Sequence, residues 1–194
     1  MPCTFGPSLV VSVMAMMSGR LAFLVVAVIA GAAAPAAPPL LASEFPARVL
    51  AAHNDERVRI GATQLVWDTA LADGAALHAA RMAATGDFNH SDRASRPGVG
   101  ENLWRGTRGA YPVEAMVGAW LGERRDFLPG IFPNNSRTGN WMAVSHYTQI
   151  IWPMTTRIGC ALASNRSTDY LVCRYSPKGN VEGRSVGTPS PRPI

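Results

Sequence analysis

The chain has 194 residues, of which 47% are hydrophobic and 16% are charged, so it can form one compact domain with a core but not two large ones. Its formal net charge is +5 at pH 7, and acidic residues are interleaved with the basic ones along the chain. This modest, dispersed charge argues against nucleic-acid binding, and we expect no nucleic-acid partner. The sequence contains no C-x-x-C pair, which argues against thioredoxin-type redox chemistry.

The N-terminal region has the layout of a secretory signal peptide, which we place at residues 1–42. An uncharged run, Leu21–Ser43, follows Arg20 and passes from aliphatic residues into small ones. The residues before Arg20 are unusual for a signal peptide, so the true start could instead be Met16 or Met17.

The alternative to a signal peptide is a membrane anchor. The uncharged run is long enough, but Pro35, Pro38 and Pro39 interrupt it, and its apolar part is only about half a membrane span. We therefore expect no stable membrane span and a secreted or periplasmic protein. The folded domain is then predicted at residues 44–181, followed by a disordered tail at 182–194 that is rich in glycine and proline.

Three segments carry apolar residues at intervals of three and four, which predicts amphipathic helices over Glu44–Arg59, Asp68–Thr85 and Pro112–Arg125. Asp68 is the predicted N-cap of the second helix, and Gly86 is its predicted C-terminal stop. Periodicity does not decide between a helix and a strand for Tyr147–Trp152.

A long loop, residues 126–141, follows the third predicted helix. It holds five large apolar side chains: Phe127, Leu128, Ile131, Phe132 and Trp141. So much apolar surface in one loop predicts either a plug over the core or a lipid-facing lip, and we favour the plug.

Two segments near the C-terminus, Arg157–Ala163 and Tyr170–Tyr175, predict an antiparallel hairpin joined by a polar turn. Cys160 and Cys173 are symmetric about that turn, so they would face each other at the Cα separation that a disulfide needs. Loss of the signal peptide removes Cys3 and leaves an even number of cysteines, which favours a disulfide in an exported chain. Because the predicted helices precede the strands, we expect the α+β class, with helices covering an antiparallel sheet.

Seven segments carry a further signal in their order along the chain: L-A-A-H-N-D-E-R at 50–57, L-V-W-D-T-A-L-A at 65–72, F-N-H-S at 88–91, G-E-N-L at 100–103, W-L-G-E at 120–123, S-H-Y-T-Q at 145–149 and Y-L-V-C-R-Y-S-P-K-G-N-V at 170–181. Together they resemble the CAP superfamily, the cysteine-rich secretory, antigen 5 and pathogenesis-related class 1 proteins. The resemblance covers nearly all of residues 44–181 and implies a three-layer α-β-α sandwich, the fold of an SCP-like extracellular domain. We expect His53 and Asn54 to hydrogen-bond within that fold, and the protein to be a monomer.

The same resemblance assigns four residues to a central cleft, the histidines His90 and His146 and the glutamates Glu101 and Glu123. No spacing rule finds this set, since the four positions show no metal-binding signature. Two imidazoles and two carboxylates suit a divalent ion such as zinc, with His90 and His146 as ligands and the carboxylates orienting them. The alternative is a buried polar network that only stabilises the fold.

The resemblance also implies a function, that of a secreted binding module whose ligand is a sterol or a fatty acid. The alternative is a metal-dependent hydrolase, a peptidase or esterase, because a metal-bound water beside a glutamate is the machinery of zinc hydrolases. Neither Ser91 nor Ser145 stands in a G-x-S-x-G elbow, and no H-E-x-x-H motif occurs. We therefore expect a binding protein rather than an enzyme.

Overall fold

The structure is a computed structural model that describes residues 44–187. The predicted signal peptide and residues 188–194 of the predicted tail lie outside the described residues. Four α-helices are present in this part of the chain: α1 Phe45–Arg59, α2 Thr69–Thr85, α3 Val113–Leu121 and α4 Ser145–Ile150. None of the described helices combines the length and apolar character needed to cross a membrane.

A four-stranded sheet forms the centre of the domain. Its strands are β1 Val66–Trp67, β2 Gly100–Thr107, β4 Arg157–Ser164 and β5 Thr168–Ser176, in the spatial order β1-β4-β5-β2. The three long strands pair antiparallel, whereas the two-residue edge strand β1 runs parallel to β4. The predicted α+β class with a central sheet is therefore confirmed.

The helices cover both faces of this sheet. On one face, α2 packs Ala75, Ala79 and Met82 against side chains of β2 and β5 such as Leu103 and Val172. On the other face, α1, α3 and α4 bury a larger cluster against Ile158, Cys160, Leu171, Cys173 and Tyr175. This arrangement is the three-layer α-β-α sandwich that the sequence resemblance implied.

The second helix begins and ends where the sequence predicts. The side chain of Asp68 accepts a hydrogen bond from the Leu71 amide at 3.0 Å, which is an N-cap. Gly86 ends the helix at a φ of 79°, a left-handed conformation that glycine adopts without steric cost. The third helix is shorter than predicted, because regular α-helix stops at Leu121 and a 3-10 turn, Gly122–Asp126, follows.

Residues of the first predicted helix hydrogen-bond within the fold, as expected. His53 Nδ1 lies 2.8 Å from the Val49 carbonyl oxygen, and His53 Nε2 lies 2.9 Å from the Tyr175 hydroxyl. Asn54 exchanges two hydrogen bonds with the backbone of Leu65, at 2.7 and 3.0 Å. The hairpin is confirmed as well, since Cys160 and Cys173 are register partners on β4 and β5 and form a disulfide.

Several elements were not foreseen in the sequence, and strand β2 and helix α4 are the longest of them. Strand β2 shows no alternation at its start, because Gly100–Leu103 is buried at all four positions. Of the undecided segment 147–152, the first four residues belong to helix α4, and Tyr147–Ile150 are all buried and so lack a polar face. Periodicity identifies half-buried elements only, and both of these segments are buried on all sides at those positions.

The prediction that disorder begins at residue 182 is wrong for residues 182–187. A short strand, β6 Ser185–Val186, pairs antiparallel with β3 Gly130–Ile131, and Val186 is fully buried. The loop 126–141 contains β3, and its apolar side chains are divided between the core and the surface. Phe132 packs between the rings of Trp141 and Trp152, at centroid distances of 5.3 and 6.1 Å, whereas Ile131 is half exposed.

Candidate functional site

His90 and Glu101 form the first of two histidine-carboxylate pairs. His90 lies in the loop after α2, and Glu101 is the second residue of β2 with a fully buried side chain. His90 Nδ1 lies 3.0 Å from Glu101 Oε1, which also accepts the Ser91 backbone N–H at 2.9 Å. The Ser91 hydroxyl donates to Glu101 Oε2 at 2.7 Å. Both carboxylate oxygens are therefore occupied by donors from the 90–91 segment.

Two arginines also approach the Glu101 carboxylate, with Arg96 Nε 3.7 Å from Oε1 and Arg174 Nε 3.4 Å from Oε2. Burial by itself raises the pKa of Glu101, but the hydrogen bonds from His90 and Ser91 and the charge of Arg96 outweigh burial and lower this pKa to about 2. Glu101 is therefore a carboxylate at neutral pH. It orients His90 and is a weak proton acceptor.

The second pair joins His146, in the first turn of α4, to Glu123, in the 3-10 turn after α3. His146 Nδ1 lies 2.5 Å from Glu123 Oε1, while Glu123 Oε2 accepts the backbone N–H groups of His146 and Tyr147 at 2.9 and 3.0 Å. The imidazole of His146 also stacks on the ring of Trp120, with the centroids 6.0 Å apart. Three donors thus bind Glu123, and the ring of His146 is held on two sides.

Both histidines have the same tautomer, because a carboxylate only accepts hydrogen bonds and each Nδ1 faces one. In the neutral imidazole the proton is then on Nδ1, and Nε2 carries a lone pair. Neither Nε2 atom has a hydrogen-bond partner within residues 44–187. The side chains of His90 and His146 are 54% and 31% exposed, so both rings reach solvent.

One cleft of about 900 Å³ brings these residues together. Its lining includes His90, Glu101 and His146, whereas Glu123 stands behind His146 and does not line it. The cleft is also lined by residues for which the sequence analysis assigned no site role: Arg93, Arg96, Trp141, Met142, Gln149 and Lys178. Of the four residues predicted for the cleft, three therefore line it and the fourth contacts a lining residue.

Gln149 lines the cleft and connects neighbouring segments through hydrogen bonds of its side chain. Its Oε1 accepts the Gly179 backbone N–H at 2.9 Å, and its Nε2 donates to the Thr155 hydroxyl at 3.3 Å. The Gln149 amide lies so close to Gly100 that a Cβ atom at residue 100 would collide with it. The signal in the sequence was the glutamine of the S-H-Y-T-Q segment together with the glycine of G-E-N-L, but neither pattern shows that the two residues touch.

The two serines next to the histidines are not arranged as nucleophiles. The Ser145 hydroxyl donates to the Met142 carbonyl oxygen at 3.1 Å rather than to His146. The Ser91 hydroxyl donates to Glu101 and accepts from Arg96 Nε at 3.0 Å. Neither hydroxyl contacts a histidine, so a serine-histidine mechanism has no geometric support.

The cleft offers two nitrogen ligands to a metal ion. Within residues 44–187, no group of three or more histidine, cysteine, aspartate or glutamate side chains could hold a metal. A fully protein-ligated tetrahedral site is thus absent from the described part. The donor set fits an ion bound by His90 and His146 with water at the remaining positions, as in open zinc sites.

Residues 50–175 match the family model described as the cysteine-rich secretory protein family, CAP. The chain is 35% identical over 143 residues to pathogenesis-related leaf protein 4 of Solanum lycopersicum, covering 73% of this chain and 83% of that protein. It is 34% identical over 150 residues to the secreted protein RBT4 of Candida albicans, covering 75% of this chain and 38% of that protein.

Two solved structures share the fold. The crystal structure of NaASP2 with Zn²⁺ matches with a TM-score of 0.64 at 23% identity, over 74% of this chain and 85% of that one. The structure of BmVAL-1 matches with a TM-score of 0.61 at 22% identity, over 75% of this chain and 82% of that one. The family match and the identity to pathogenesis-related proteins show that this chain belongs to the CAP family.

Proposed function

We propose that this protein is an exported binding module whose cleft holds a divalent metal ion, zinc in the first instance, through His90 and His146. One observation carries the proposal. Both histidines present an unpartnered Nε2 to the same cleft, while a carboxylate holds each Nδ1. A histidine that gives its other ring nitrogen to a carboxylate is the usual arrangement of a metal ligand.

Chemistry and similarity both support zinc as the ion to test first. Imidazole nitrogen is a preferred ligand of zinc, and two histidines with water leave open positions for a further ligand. The similar fold of NaASP2, whose crystal structure was determined with Zn²⁺, supports the same choice. With two protein ligands we expect weak to moderate affinity.

Export of the protein is supported by its disulfide and its relatives. Cys160 and Cys173 are bonded, and disulfides persist in oxidising compartments outside the cytosol. A relative with 34% identity is named a secreted protein. The leader at residues 1–42 is the segment that would direct this export.

A sterol or a fatty acid is the proposed organic ligand. The 126–144 region presents apolar side chains at the surface, with Ile131 50%, Trp141 38% and Met142 60% exposed. Phe132, Trp141 and Met142 all line the cleft, and the buried ring of Phe132 packs against that of Trp141. Adjacent exposed apolar side chains at the edge of a concave site are typical of apolar ligand binding.

The competing function, a metal-dependent hydrolase, would need a carboxylate free to act as a general base. Hydrogen-bond donors occupy both oxygens of Glu101 and both oxygens of Glu123. Glu123 also stands outside the cleft lining, and the pKa of Glu101 is lowered to about 2, which makes it a weak base. These contacts favour the binding module over the hydrolase.

Calorimetric titration with zinc tests the proposal. The wild type, the two single variants His90→Ala and His146→Ala, and the double variant are each titrated. Each single variant should bind zinc at least about tenfold more weakly than the wild type, because one ligand is removed. Equal zinc affinity in the wild type and the double variant would show that any zinc binds elsewhere.

A labelled fatty acid or sterol should bind saturably without turnover. Zinc-dependent hydrolysis of a peptide or ester, lost in both Glu123→Gln and His146→Ala, would replace the binding module with the hydrolase.

A further inference from the structure

The cleft has two ends of different chemistry, and two backbone hydrogen bonds locate them. The Lys178 N–H donates to the Gly98 carbonyl oxygen at 2.9 Å, so Lys178 lies beside the loop that carries Arg93 and Arg96. The Gly183 N–H donates to the Phe132 carbonyl oxygen at 3.0 Å, which places the chain after Lys178 beside the apolar residues of the 126–144 region. Five residues separate these two contacts, so the ends are at most roughly 17 Å apart along the chain.

The first end holds more positive than negative charge. The side chain of Arg96 is only 10% exposed, and its nearest carboxylate is Glu101 at 3.7 Å. Arg174 shares that same carboxylate, although its Nε, 3.4 Å away, makes no hydrogen bond within the described chain. One buried carboxylate therefore serves two guanidinium groups as well as His90 and Ser91.

Further cations extend this excess to the surface. Arg93 and Lys178 are exposed on the cleft wall, and their side chains pair with no carboxylate among residues 44–187. The neighbouring acid is Asp92, whose Oδ1 accepts the Ala94 N–H at 3.0 Å. The cleft lining itself holds three such cations, Arg93, Arg96 and Lys178, and two carboxylates, those of Glu101 and Glu182. Glu182 lines the cleft on the stretch that leads to the other end.

Keeping such an excess partly buried is unfavourable, because a cation loses hydration without gaining a full counter-charge. Burial lowers the pKa of Arg96, the raising effects of Glu101 and Asp92 being too small to offset it. An anionic group bound here would supply the missing charge and accept hydrogen bonds from guanidinium and ammonium groups.

The second end is apolar and adaptable. Trp141 packs on Phe132 with ring centroids 5.3 Å apart and keeps 38% of its surface exposed. Met142, beside it, is 60% exposed and has a flexible thioether side chain that can fit varied apolar shapes. An apolar body could cover both side chains.

We propose that the cleft selects an organic anion, with its acid group at Arg93, Arg96 and Lys178 and its apolar body against Trp141 and Met142. The proposal rests on the proposed function in taking the cleft as the binding site, and it favours an acid such as a fatty acid over an uncharged sterol. The histidines line the same cleft, and binding of the anion does not need the metal.

A pair of fluorescent dyes that differ only in an acid group provides the test. 8-Anilino-1-naphthalenesulfonate carries a sulfonate, whereas N-phenyl-1-naphthylamine has the same rings without it. In EDTA, we expect the wild type to bind the sulfonate at least about tenfold more tightly than the neutral dye. Comparable affinity for the two dyes, or no binding of either, would overturn the proposal.

Charge variants identify where the sulfonate is held. Arg93→Gln/Lys178→Gln should weaken sulfonate binding about tenfold or more and leave the neutral dye unchanged. Arg137→Gln/Arg166→Gln removes two exposed charges elsewhere and should change neither dye by more than about twofold. Equal losses in the two double variants would mean that net charge alone attracts the dye, which contradicts the proposal.

The apolar end is tested in the same titrations. Trp141→Ala should weaken both dyes, while Leu77→Ala, at a residue 77% exposed on α2, should weaken neither. Dodecanoate should displace the sulfonate dye in competition, and dodecanol should not. Displacement by dodecanol as effective as by dodecanoate would overturn selection for the acid. Because every titration contains EDTA, failure of the zinc proposal and failure of this one are separate results.

Discussion

Glu123 binds His146 through both of its carboxylate oxygens, one at the imidazole Nδ1 and one at the backbone N–H. The second oxygen also accepts the N–H of Tyr147, so Glu123 satisfies two free amides in the first turn of α4. No side chain at the N-cap position, Val144, supplies such a bond. The carboxylate therefore orients the histidine and stabilises the helix that carries it.

Replacing Glu123 with glutamine should weaken both roles. The NH₂ group of the new side-chain amide would face backbone N–H groups or the imidazole N–H, so at least one donor loses its acceptor. We expect the free energy of unfolding to fall by roughly 1–3 kcal/mol in urea titrations, and zinc affinity to fall roughly 10- to 100-fold in calorimetry.

Glu114→Gln is the matched control for this prediction. Glu114 also pairs with a basic side chain, that of Arg48, but its own side chain is 48% exposed. A pair at that exposure contributes roughly 0–1 kcal/mol, and Glu114 is not a residue of the cleft. If Glu123→Gln destabilised the protein no more than Glu114→Gln, the capping role would be wrong.

Arg57 is a buried cation whose bonds all go to backbone oxygens. Its guanidinium donates to the carbonyls of Thr63, Ile150, Trp152 and Thr155 at 2.6–3.0 Å, and its side chain is inaccessible to solvent. Burial lowers the pKa of Arg57 to about 10, which still leaves it charged at neutral pH. It thereby ties α1 to the turn that follows Gln149.

We expect Arg57→Lys to destabilise the protein by roughly 2–4 kcal/mol, because an ammonium group cannot reproduce the planar set of donors. Urea unfolding monitored by tryptophan fluorescence measures the change. Arg48→Lys serves as the control, since Arg48 lies on the same helix and pairs with Glu114, whose side chain is 48% exposed. Similar losses in the two variants would contradict the assigned role of Arg57.

Stability should also depend on pH through His53, which is fully buried. Burial lowers the pKa of His53 from 6.5 to about 4, and the nearby charge of Arg57 acts in the same direction against the hydrogen bond from the ring to Val49. The other side chains that face the ring are Tyr175 and Trp120. The folded protein therefore excludes a proton that the unfolded chain binds.

The sign follows from that difference. Below pH 6.5 the unfolded chain takes up a proton at His53 and the folded protein does not, so stability falls as the pH drops towards 4, by roughly 3 kcal/mol in total. The stability advantage of the wild type over His53→Asn should shrink by most of this amount between about pH 7.5 and pH 4.5. An advantage that stays constant over this range would show that His53 does not titrate in this way.

The sequence predicted elements that have one buried face and recognisable capping or turn residues at their ends. Helix α2 shows this, since Asp68 and Gly86 are capping residues whose roles depend on local geometry alone. The Cys160–Cys173 pair could also be predicted, because symmetry about a polar turn determines which residues are opposite on a hairpin. In both cases the signal lies within a few residues of the structure that it specifies.

The cleft could not be predicted in the same way, because its contacts join distant parts of the chain. Glu123 and His146 are 23 residues apart and meet only when α3 and α4 pack together. The contact between Gly100 and Gln149 depends on the register of β2, which no periodic pattern revealed. Resemblance to a family identified the histidines and glutamates, but the arginines beside Glu101 emerged from the structure alone.

The disulfide should contribute strongly to stability. Cys160 and Cys173 are buried register partners on β4 and β5, separated by 13 positions in the sequence. In the chain-entropy model, a bridge that closes a loop of this length stabilises the protein by about 3 kcal/mol, chiefly by restricting the unfolded chain. Exported wild-type protein should have an intact mass lower than the reduced value by two hydrogen atoms, with a mature N-terminus between about Ala33 and Glu44.

Urea unfolding of the Cys160→Ala/Cys173→Ala double variant measures that contribution. Its free energy of unfolding should be about 3 kcal/mol below that of the oxidised wild type. Reductant should bring the wild type to nearly the same value and should leave the double variant unchanged, which separates loss of the bond from loss of the sulfur atoms. Equal urea midpoints for the oxidised wild type and the double variant would contradict this prediction. Pairing of β4 and β5 that persists in the unfolded chain would then restrict that chain as much as the bond does.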